Sequence, residues 1–323
     1  MSIQSLEETA RDIFFSSTNG RLVFDVYPSV FNERAVDVLA LQRYSQHPTL
    51  SNLQRVFSGS KPDHISSLRV GKGFGGEWLN KVEVGESVSI GNNCYLMGHG
   101  TIRLGNNVKI GNDVMIVTVG HGLHKTQRHL NRYGTIEIGD NSIIEDGAMI
   151  LHTTNDQVLN IPLNSMVKRN TMILRPHDVG KTDAPVGGTA FDRLSAAWSA
   201  VATEVERDDA LEYLGNDNLV VIPPVYVGGQ SSIHSGTESL HNAHSILIAQ
   251  SPINIGYRCA FAPKSAVFAA EDAPVSFGDF VWVSAKATIE STPGKPIHIG
   301  EGALIAAGAY VNQSVPPHAL VVG

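Results

Sequence analysis

Two histidines three residues apart are the strongest candidates for chemistry in this chain. His121 and His124 lie in a polar segment, residues 121–129, that interrupts an otherwise regular pattern. A neutral imidazole accepts a proton near neutral pH and is the side chain used most often as a general base. We therefore predict that this segment is a loop presenting a base on a rigid frame.

A second histidine pair has the same spacing. His241 and His244 lie in residues 239–245, which also fall between repeated segments. At either place a histidine that only hydrogen-bonds a backbone carbonyl is the alternative to a catalytic one. The sequence leaves the second pair open as a competing site.

The elements that must position these histidines follow a period of six residues. An aliphatic residue, often followed by Gly and then by Asn or Asp, recurs at positions 84, 90, 96, 104, 110, 116, 138, 144 and 150. Gly, Asn and Asp tolerate the left-handed backbone of a tight corner. Three such hexads can close one turn of a coil, and stacked turns can bury a continuous aliphatic column.

A similar pattern returns near the C-terminus and defines the predicted domains. Its aliphatic or aromatic positions are 255, 261, 267, 277, 283, 289, 299, 305 and 311, and a weaker pair lies at 227 and 233. We predict a mainly β chain with four regions: an N-terminal helical region and hinge, a first coil carrying the histidine loop, a loop-and-helix insertion, and a second coil. They span residues 1–81, 82–174, 175–220 and 221–323.

Helices are predicted within the non-repetitive regions. Apolar residues at helical spacing predict helices over 3–17, 30–57 and 189–214, the second being broken or restarted at Pro48. The glycine-rich segment 71–76 predicts a hinge before the first coil.

Composition excludes several classes of partner. The net charge is −7 and no block of Lys or Arg occurs, so we expect no nucleic-acid binding. No apolar run is long enough to span a bilayer, and the acidic Glu7 and Glu8 stand where an export signal would be basic and then apolar. Cys94 and Cys259 each sit inside a repeat and are expected to be buried thiols. We expect a cytoplasmic protein.

The repeats resemble those of the hexapeptide-repeat acyltransferases, most closely the sugar and xenobiotic O-acetyltransferase branch. The likeness lies in the hexads, in residues 120–124 between two turns, and in residues 315–323, and it covers about 84–151 and 227–323. The resemblance implies a left-handed parallel β-helix, here in two tandem coils. It also implies an acetyl-CoA-dependent O-acetyltransferase acting on a hydroxyl of a sugar or surface polysaccharide, working as a homotrimer.

The same resemblance implies roles for particular residues of the loop and its surroundings. His124 matches the histidine that takes the acceptor proton, and His121 matches a supporting histidine. His99, in Gly98-His99-Gly100, lies close to where the family places an acceptor-binding Asn, and is assigned to the acceptor. Arg128 is assigned to the acceptor as well.

The coenzyme is expected along a coil edge where side chains are small. In the second coil the residues assigned to acetyl-CoA are Trp282, Ser284, Ala285, Ala306 and Ala307. In the first coil they are Gly147 and Ala148. No metal is expected.

Two other functions compete with acetyl transfer. The fold is shared with the γ-class carbonic anhydrases, and the spacing of His124 and His129 suits a zinc site. Against this, those histidines lie in a long excursion and not on flat strands. A non-catalytic assembly subunit is the other alternative, because the two-copy arrangement is not typical of the small family members.

Overall fold

A computed structural model of the chain describes residues 39–121, 131–153, 158–174, 202–205, 207–216, 219–222 and 224–322. These residues form two compact units, one ending at the described residue 174 and the other beginning at 202. Both are mainly β, with parallel strands stacked into a solenoid. None of the helices in the described ranges is long and apolar enough to cross a membrane.

Short helices precede the first coil. Residues 39–46 are helical, and α1 (Leu50–Val56) follows after a break at Pro48, as predicted. Thr49 caps α1 by accepting a hydrogen bond from the Asn52 amide at 3.3 Å. Next come α2 (Pro62–Ser67) and a single 3₁₀ turn at Leu79–Lys81. Leu53, Val56 and Ile65 of these helices pack on the coil core.

The strands of the first unit are short. In chain order they are β1 (Arg69–Val70), β2 (Gly75–Glu77), β3 (Val82–Val84), β4 (Ser89–Ile90), β5 (Tyr95–Met97), β6 (Thr101–Leu104), β7 (Lys109–Ile110), β8 (Met115–Val117), β9 (Val119–His121), β10 (Asn131–Tyr133), β11 (Thr135–Ile138), β12 (Ile143–Ile144), β13 (Met149–Leu151), β14 (Val158–Ile161), β15 (Met166–Val167) and β16 (Met172–Ile173).

These strands pair turn upon turn, with the spacing that the sequence predicted. Among the described residues of this unit, the parallel sheets are β1-β4-β7-β12-β15, β3-β6-β11-β14 and β2-β5-β8-β13-β16. The aliphatic positions fall in register and point inward: Ile110 pairs with Ile144, and Ile116 pairs with Ile150. All nine predicted positions of this unit belong to one buried core, so the period of six is confirmed.

Polar ladders hold the corners of this coil. The side-chain oxygen of Asn112 accepts from the Asn92 amide at 2.9 Å, and that of Asp146 accepts from the Asn112 amide at 2.8 Å. Asn107, Asn141 and Asn164 form a second ladder through their side-chain amides at 3.3 and 3.2 Å. The first ladder therefore satisfies backbone amides at the corners, whereas the second joins side chains of successive turns.

The second unit has its own strands and one helix. They are β17 (Ala202–Val205), α3 (Arg207–Tyr213), β18 (Val220–Val221), β19 (Val225–Gly229), β20 (Ile233–Ser235), β21 (Leu240–His241), β22 (Ile246–Ala249), β23 (Ile253–Ile255), β24 (Ala260–Phe261), β25 (Ala266–Ala269), β26 (Val275–Phe277), β27 (Trp282–Val283), β28 (Thr288–Glu290), β29 (Ile297–Ile299), β30 (Leu304–Ile305), β31 (Tyr310–Val311) and β32 (Leu320–Val321).

The second coil repeats the same principle of inward columns. Among its described residues the parallel sheets are β18-β21-β24-β27-β30-β32, β20-β23-β26-β29 and β19-β22-β25-β28-β31, the last extended by the antiparallel β17. The nine aliphatic or aromatic positions predicted from 255 to 311 all lie in one core. Cys259 is buried in this core and Cys94 in that of the first unit, both as free thiols, as predicted.

Two local predictions were wrong. Strand pairing begins at Arg69, and Gly75–Glu77 pairs with β5, so the predicted hinge belongs to the first turn of the coil. Residues 202–205 form a strand against β19 inside the predicted helix 189–214, because pairing with the sheet outweighs a local helical pattern. The predicted helix 3–17 lies outside the described residues.

Candidate functional site

The histidine loop is carried by a hairpin in the first unit. β9 and β10 pair antiparallel, with His121 opposite Asn131 and Val119 opposite Tyr133. This hairpin interrupts the parallel coil where the sequence predicted an inserted loop. His124 and Arg128 lie outside the described residues.

Two glycines bring a histidine to the foot of this hairpin. A Cβ at Gly98 would lie 2.6 Å from the Trp78 carbonyl oxygen, and one at Gly100 would lie 1.9 Å from the Gly134 carbonyl oxygen. Thr118 clamps the same segment, because its hydroxyl donates to the Met97 carbonyl at 2.7 Å and accepts from the Gly100 amide at 2.9 Å. These contacts fix the backbone on both sides of His99, which lies between the two glycines.

A buried carboxylate contacts His99. Glu77 is 2% exposed, and its Oε2 lies 3.0 Å from Nε2 of His99. Its other oxygen, Oε1, accepts a hydrogen bond from the Tyr95 hydroxyl at 3.2 Å. Buried polar groups are tolerated when they are hydrogen-bonded, and both carboxylate oxygens of Glu77 have a partner here.

Aromatic rings flank the imidazole of His99. The Trp78 ring centroid lies 3.7 Å away with the planes tilted by 43°, and the Tyr133 ring stacks at 6.3 Å and 24°. Trp78 has a φ of 51°, in the left-handed region that a bulky residue rarely adopts. Strained backbone of this kind is frequent at functional sites.

Glu77 was not among the residues predicted from the sequence. Glu77 lies one coil turn before Met97 and pairs with it in the parallel sheet. The length of one turn, read from the repeat, would therefore have pointed to Glu77. That register places the Glu77 side chain beside the residues that follow Met97, including His99. The structure thus brings the predicted His99 together with a carboxylate that pattern reading overlooked.

The competing histidine pair of the second unit is placed differently. His241 is fully buried inside the coil, where it stacks on Phe261 at 5.0 Å and shares a 2.9 Å hydrogen bond with Ser235. Burial lowers the pKa of His241 to about 3, so its imidazole is neutral near pH 7. A side chain sealed in the coil interior does not reach a substrate, so His241 is a structural residue.

His244 is also a poor base. Burial, and then the positive charge of Lys264, lower the pKa of His244 to about 4. Its ring stacks on Tyr226 at 6.1 Å, and its backbone turns a corner at a φ of 61°. Such an imidazole holds a proton weakly at neutral pH.

The residues assigned to the coenzyme in the second unit lie along one edge. β27 pairs in parallel with β30, which puts Ser284 beside Ala306 and Ala285 beside Ala307 on neighbouring turns. Ser284, Ala306, Ala307 and Trp282 are half-buried, whereas Ala285 is buried. The small side chains of Ser284, Ala306 and Ala307 are partly exposed on neighbouring turns.

The two residues assigned to the coenzyme in the first unit are less accessible. Ala148 is fully buried in the coil core, so its side chain is not available to a ligand. Gly147 occupies a corner at a φ of 71°, and its amide donates to the Asn112 carbonyl at 2.8 Å. Across the described part of the chain, no group of three or more His, Cys, Asp or Glu is placed to hold a metal.

Comparison of the sequence with curated proteins finds similarity to an acetyltransferase. The chain is 26% identical over 121 residues to galactoside O-acetyltransferase of Escherichia coli (strain K12), which covers 33% of this chain and 58% of that relative. The match therefore spans little more than half of the relative's length. The sequence matches no protein-family model.

Solved structures with partial similarity include a hexapeptide-repeat acetyltransferase from Vibrio cholerae O1 biovar eltor complexed with acetyl coenzyme A. It is 19% identical, with a TM-score of 0.33, over 51% of this chain and 92% of that one. A galactoside acetyltransferase in complex with coenzyme A is 17% identical, with a TM-score of 0.33, over 58% and 98%. Superpositions at this level do not establish a common overall structure.

The sequence match and the observed coils support the same conclusion. The matched relative is an O-acetyltransferase by name, and the described strands form parallel coils with the predicted period. The predicted resemblance of this chain to the hexapeptide-repeat acetyltransferases is thereby confirmed.

Proposed function

We propose that this protein is an acetyl-CoA-dependent O-acetyltransferase that moves an acetyl group to a hydroxyl of a sugar or polysaccharide. The observation that carries the proposal is the hairpin of β9 and β10, whose Tyr133 stacks on His99 and whose two strands flank the histidine loop in the sequence, in a chain similar to galactoside O-acetyltransferase. The partly exposed imidazole of His99 and the exposed Tyr133 at this place suit a ligand rich in hydroxyl groups.

In the proposed reaction His124 is the general base. Its neutral imidazole takes the proton of the acceptor hydroxyl as that oxygen attacks the thioester carbonyl carbon. Backbone N–H groups stabilise the tetrahedral oxyanion. Collapse of the intermediate breaks the carbon–sulfur bond, and the coenzyme thiolate leaves with the proton that the imidazole returns.

The finer architecture belongs to the same proposal. The coils are left-handed and tandem, joined by a helical insertion, and three chains assemble with acetyl-CoA and the acceptor between neighbouring subunits. The strip formed by Ser284, Ala306 and Ala307 holds the pantetheine arm. We place the enzyme in the cytoplasm.

The test is acetyl-CoA-dependent transfer measured against a panel of sugars and oligosaccharides. Removing a general base reduces rates by about two to four orders of magnitude. We expect His124→Ala to lose kcat on that scale while still binding acetyl-CoA. His244→Ala is the control and should keep most of the activity, with folding checked by thermal unfolding. Loss of transfer in His244→Ala but not in His124→Ala would move the active site to the second unit.

A further inference from the structure

We propose that a polar groove on the outer face of the first unit binds an uncharged glycan chain, so that the acceptor is an oligosaccharide or polysaccharide and not a single sugar. The link to the acceptor rests on the proposed function. The groove and its preference for an uncharged chain follow from the geometry of the first unit alone.

The groove encloses about 500 Å³ beside the sheet β3-β6-β11-β14, a size typical of ligand pockets. Its lining includes three glycines of successive turns, Gly85, Gly105 and Gly139. A Cβ at Gly85 would lie 2.6 Å from the Gly105 carbonyl carbon, and one at Gly105 would lie 2.4 Å from Oδ1 of Asp140. The stacking of the turns therefore requires residues without side chains at this corner, and backbone lines the groove there.

A column of polar side chains on successive turns lines another part of the groove. In chain order they are Glu83, Arg103, Glu137 and Asn160, each paired with the next across neighbouring strands. Neighbouring strands lie about 4.8 Å apart, so the column spans about 14 Å. This spacing is close to the repeat of a pyranose chain, so successive sugars can contact successive side chains of the column.

The column offers both donors and acceptors of hydrogen bonds. Nε of Arg103 donates to Oε2 of Glu83 at 3.3 Å, and Nη1 of Arg103 donates to Oε1 of Glu137 at 2.6 Å. A guanidinium has five N–H groups and a carboxylate has two acceptor oxygens, so these bonds do not exhaust either group. The three side chains are between 38% and 53% exposed, so a ligand can reach them. Hydroxyl groups, which both donate and accept, match this mixed surface.

The formal charges of the Lys, Arg and Glu residues in the lining cancel. Lys61 and Arg103 are positive, whereas Glu83 and Glu137 are negative. A polyanion would meet the two carboxylates and a polycation would meet the two basic groups, and like charges placed together disfavour binding. An uncharged chain meets neither penalty. The lining therefore favours a neutral glycan over an acidic or an amino-sugar chain.

The chain leading into α2 lines the groove as well, and it is tied to β3. The Ser60 hydroxyl donates to the Val82 carbonyl and accepts from the Val84 amide, both at 3.0 Å. Nδ1 of His64 donates to the Val84 carbonyl at 2.8 Å. These bonds hold this part of the groove in place before a ligand binds, which reduces the cost of ordering it on binding.

The groove and the hairpin of β9 and β10 are joined by two strands. β6 begins directly after Gly100, and β11 begins one residue after the end of β10. Arg103 and Glu137 are the third residues of these strands, so each lies about 7 Å from the start of its strand. A glycan whose reacting sugar lies at the hairpin can therefore place its next sugars in the groove.

The first experiment measures binding in the absence of acetyl-CoA. The probes are glucose, galactose and mannose, each as the monosaccharide and as linear tri- and hexasaccharides, with hexamers of galacturonate and of glucosamine as charged chains. In calorimetric titrations we expect the hexasaccharide of at least one neutral series to bind about tenfold more tightly than its monosaccharide and than either charged hexamer. Absence of any dependence on chain length, or tighter binding of a charged hexamer, would overturn the proposal.

Substitutions locate the binding site. Arg103→Ala removes the donor at the centre of the column and should weaken hexasaccharide binding about tenfold, with monosaccharide binding unchanged. The matched control is Arg169→Ala, at an exposed arginine of the same unit that pairs with Asp146 at 3.3 Å and does not line the groove. It should change neither affinity, with the folding of both variants checked by thermal unfolding. Equal hexasaccharide affinity in the two variants would contradict the groove.

Two further variants test the column without relying on Arg103→Ala. Asn160→Ala, at the end of the column, should weaken hexasaccharide binding by a smaller factor. Glu83→Gln/Glu137→Gln removes both negative charges and leaves Lys61 and Arg103 uncompensated, so it should strengthen binding of the galacturonate hexamer. Unchanged galacturonate binding in this double variant would show that these charges do not face the ligand.

Transfer assays separate this inference from the proposed function. Arg103→Ala should raise the KM for the hexasaccharide about tenfold and leave the KM for acetyl-CoA unchanged. If hexasaccharides bind as stated but none is acetylated, the proposed function fails and the glycan groove remains. If sugars are acetylated with the same KM at every chain length, in the native protein and in Arg103→Ala, the groove is wrong and the proposed function remains.

Discussion

The two coiled units bury similar aliphatic columns but place their polar residues differently. In the first unit, Glu77 and His99 lie on the outside of the coil at the hairpin, and the interior is apolar. In the second unit a polar pair, Ser235 and His241, lies inside the coil. The same residue type is therefore available for chemistry in one unit and sealed in the other.

The two units also differ in the residue types that occupy their tight corners. The non-glycine residues described at positive φ in the first unit are mostly Asn or Asp: Trp78, Ser87, Asn93, Asn107, Asp113, Asn141, Asn164 and Asn170. Those described in the second unit are Glu238, His244, Arg258, Lys264, Asp272, Phe280, Lys286 and His318. Among the non-glycine residues, Asn and Asp tolerate a positive φ best. The corner residues of the first unit therefore suit their backbone better than those of the second unit do.

The largest expected effect tests whether the apolar interior of the first unit is essential. Ile144 is fully buried and Ile143, its neighbour, is 37% exposed on the outside. Ile144→Asp buries an unpaired charge and should destabilise the unit by more than about 4 kcal/mol. Ile143→Asp is the matched control and should stay folded in urea titrations. Equal stability of the two variants would contradict the register.

A smaller effect concerns the imidazole inside the second unit. The pKa of His241 is lowered to about 3 in the folded chain, below its value of about 6.5 in the unfolded chain. As pH falls from about 6.5 to about 3, the unfolded state binds a proton that the folded state does not. Stability should therefore decline by up to about 1.4 kcal/mol per pH unit from this residue and be unaffected above that range.

The double variant Ser235→Ala/His241→Leu isolates this effect. Replacing both partners of a buried hydrogen bond by apolar groups of similar shape is nearly neutral, so stability at pH 7 should change little. The stability of the double variant should decline less steeply with falling pH than the stability of the native protein. His234→Gln, at an exposed histidine next to Ser235 in β20, should keep the native slope of stability against pH. An unchanged slope in the double variant would show that His241 is not the group responsible.

The smallest effect tests the corners. Asn141 combines a φ of 59° with side-chain hydrogen bonds in the Asn107–Asn141–Asn164 ladder, whereas the exposed His318 has a φ of 60°. Asn141→Ala should cost about 1 kcal/mol, because alanine tolerates this backbone poorly. His318→Ala exchanges one unfavourable residue for another and should change stability by less. Thermal unfolding of both variants makes the comparison, and a larger loss at His318 would contradict it.

The residues that repeat were predictable, and those that break the repeat were not. The inward columns, and the place of an insertion between the turns, followed from the period of six and its interruption. His241 occupies an inward position one turn before Phe261, yet it was assigned to an excursion because the pattern had been defined by aliphatic residues. The strand at 202–205 was mistaken for helix, because its pairing with β19 is not visible in local periodicity.

The sequence by itself determined the coil, because each hexad specifies its own inward side chain and corner residue within six positions. Only the tertiary structure decided which polar groups meet. Glu77 and His99 are far apart in the chain and come together because one turn of the coil returns the backbone to the same face. His99 lies in the turn between β5 and β6, where its side chain is 11% exposed, whereas His241 lies on the inward side of β21 and is fully buried. The inward side of a strand depends on the register set by strand pairing.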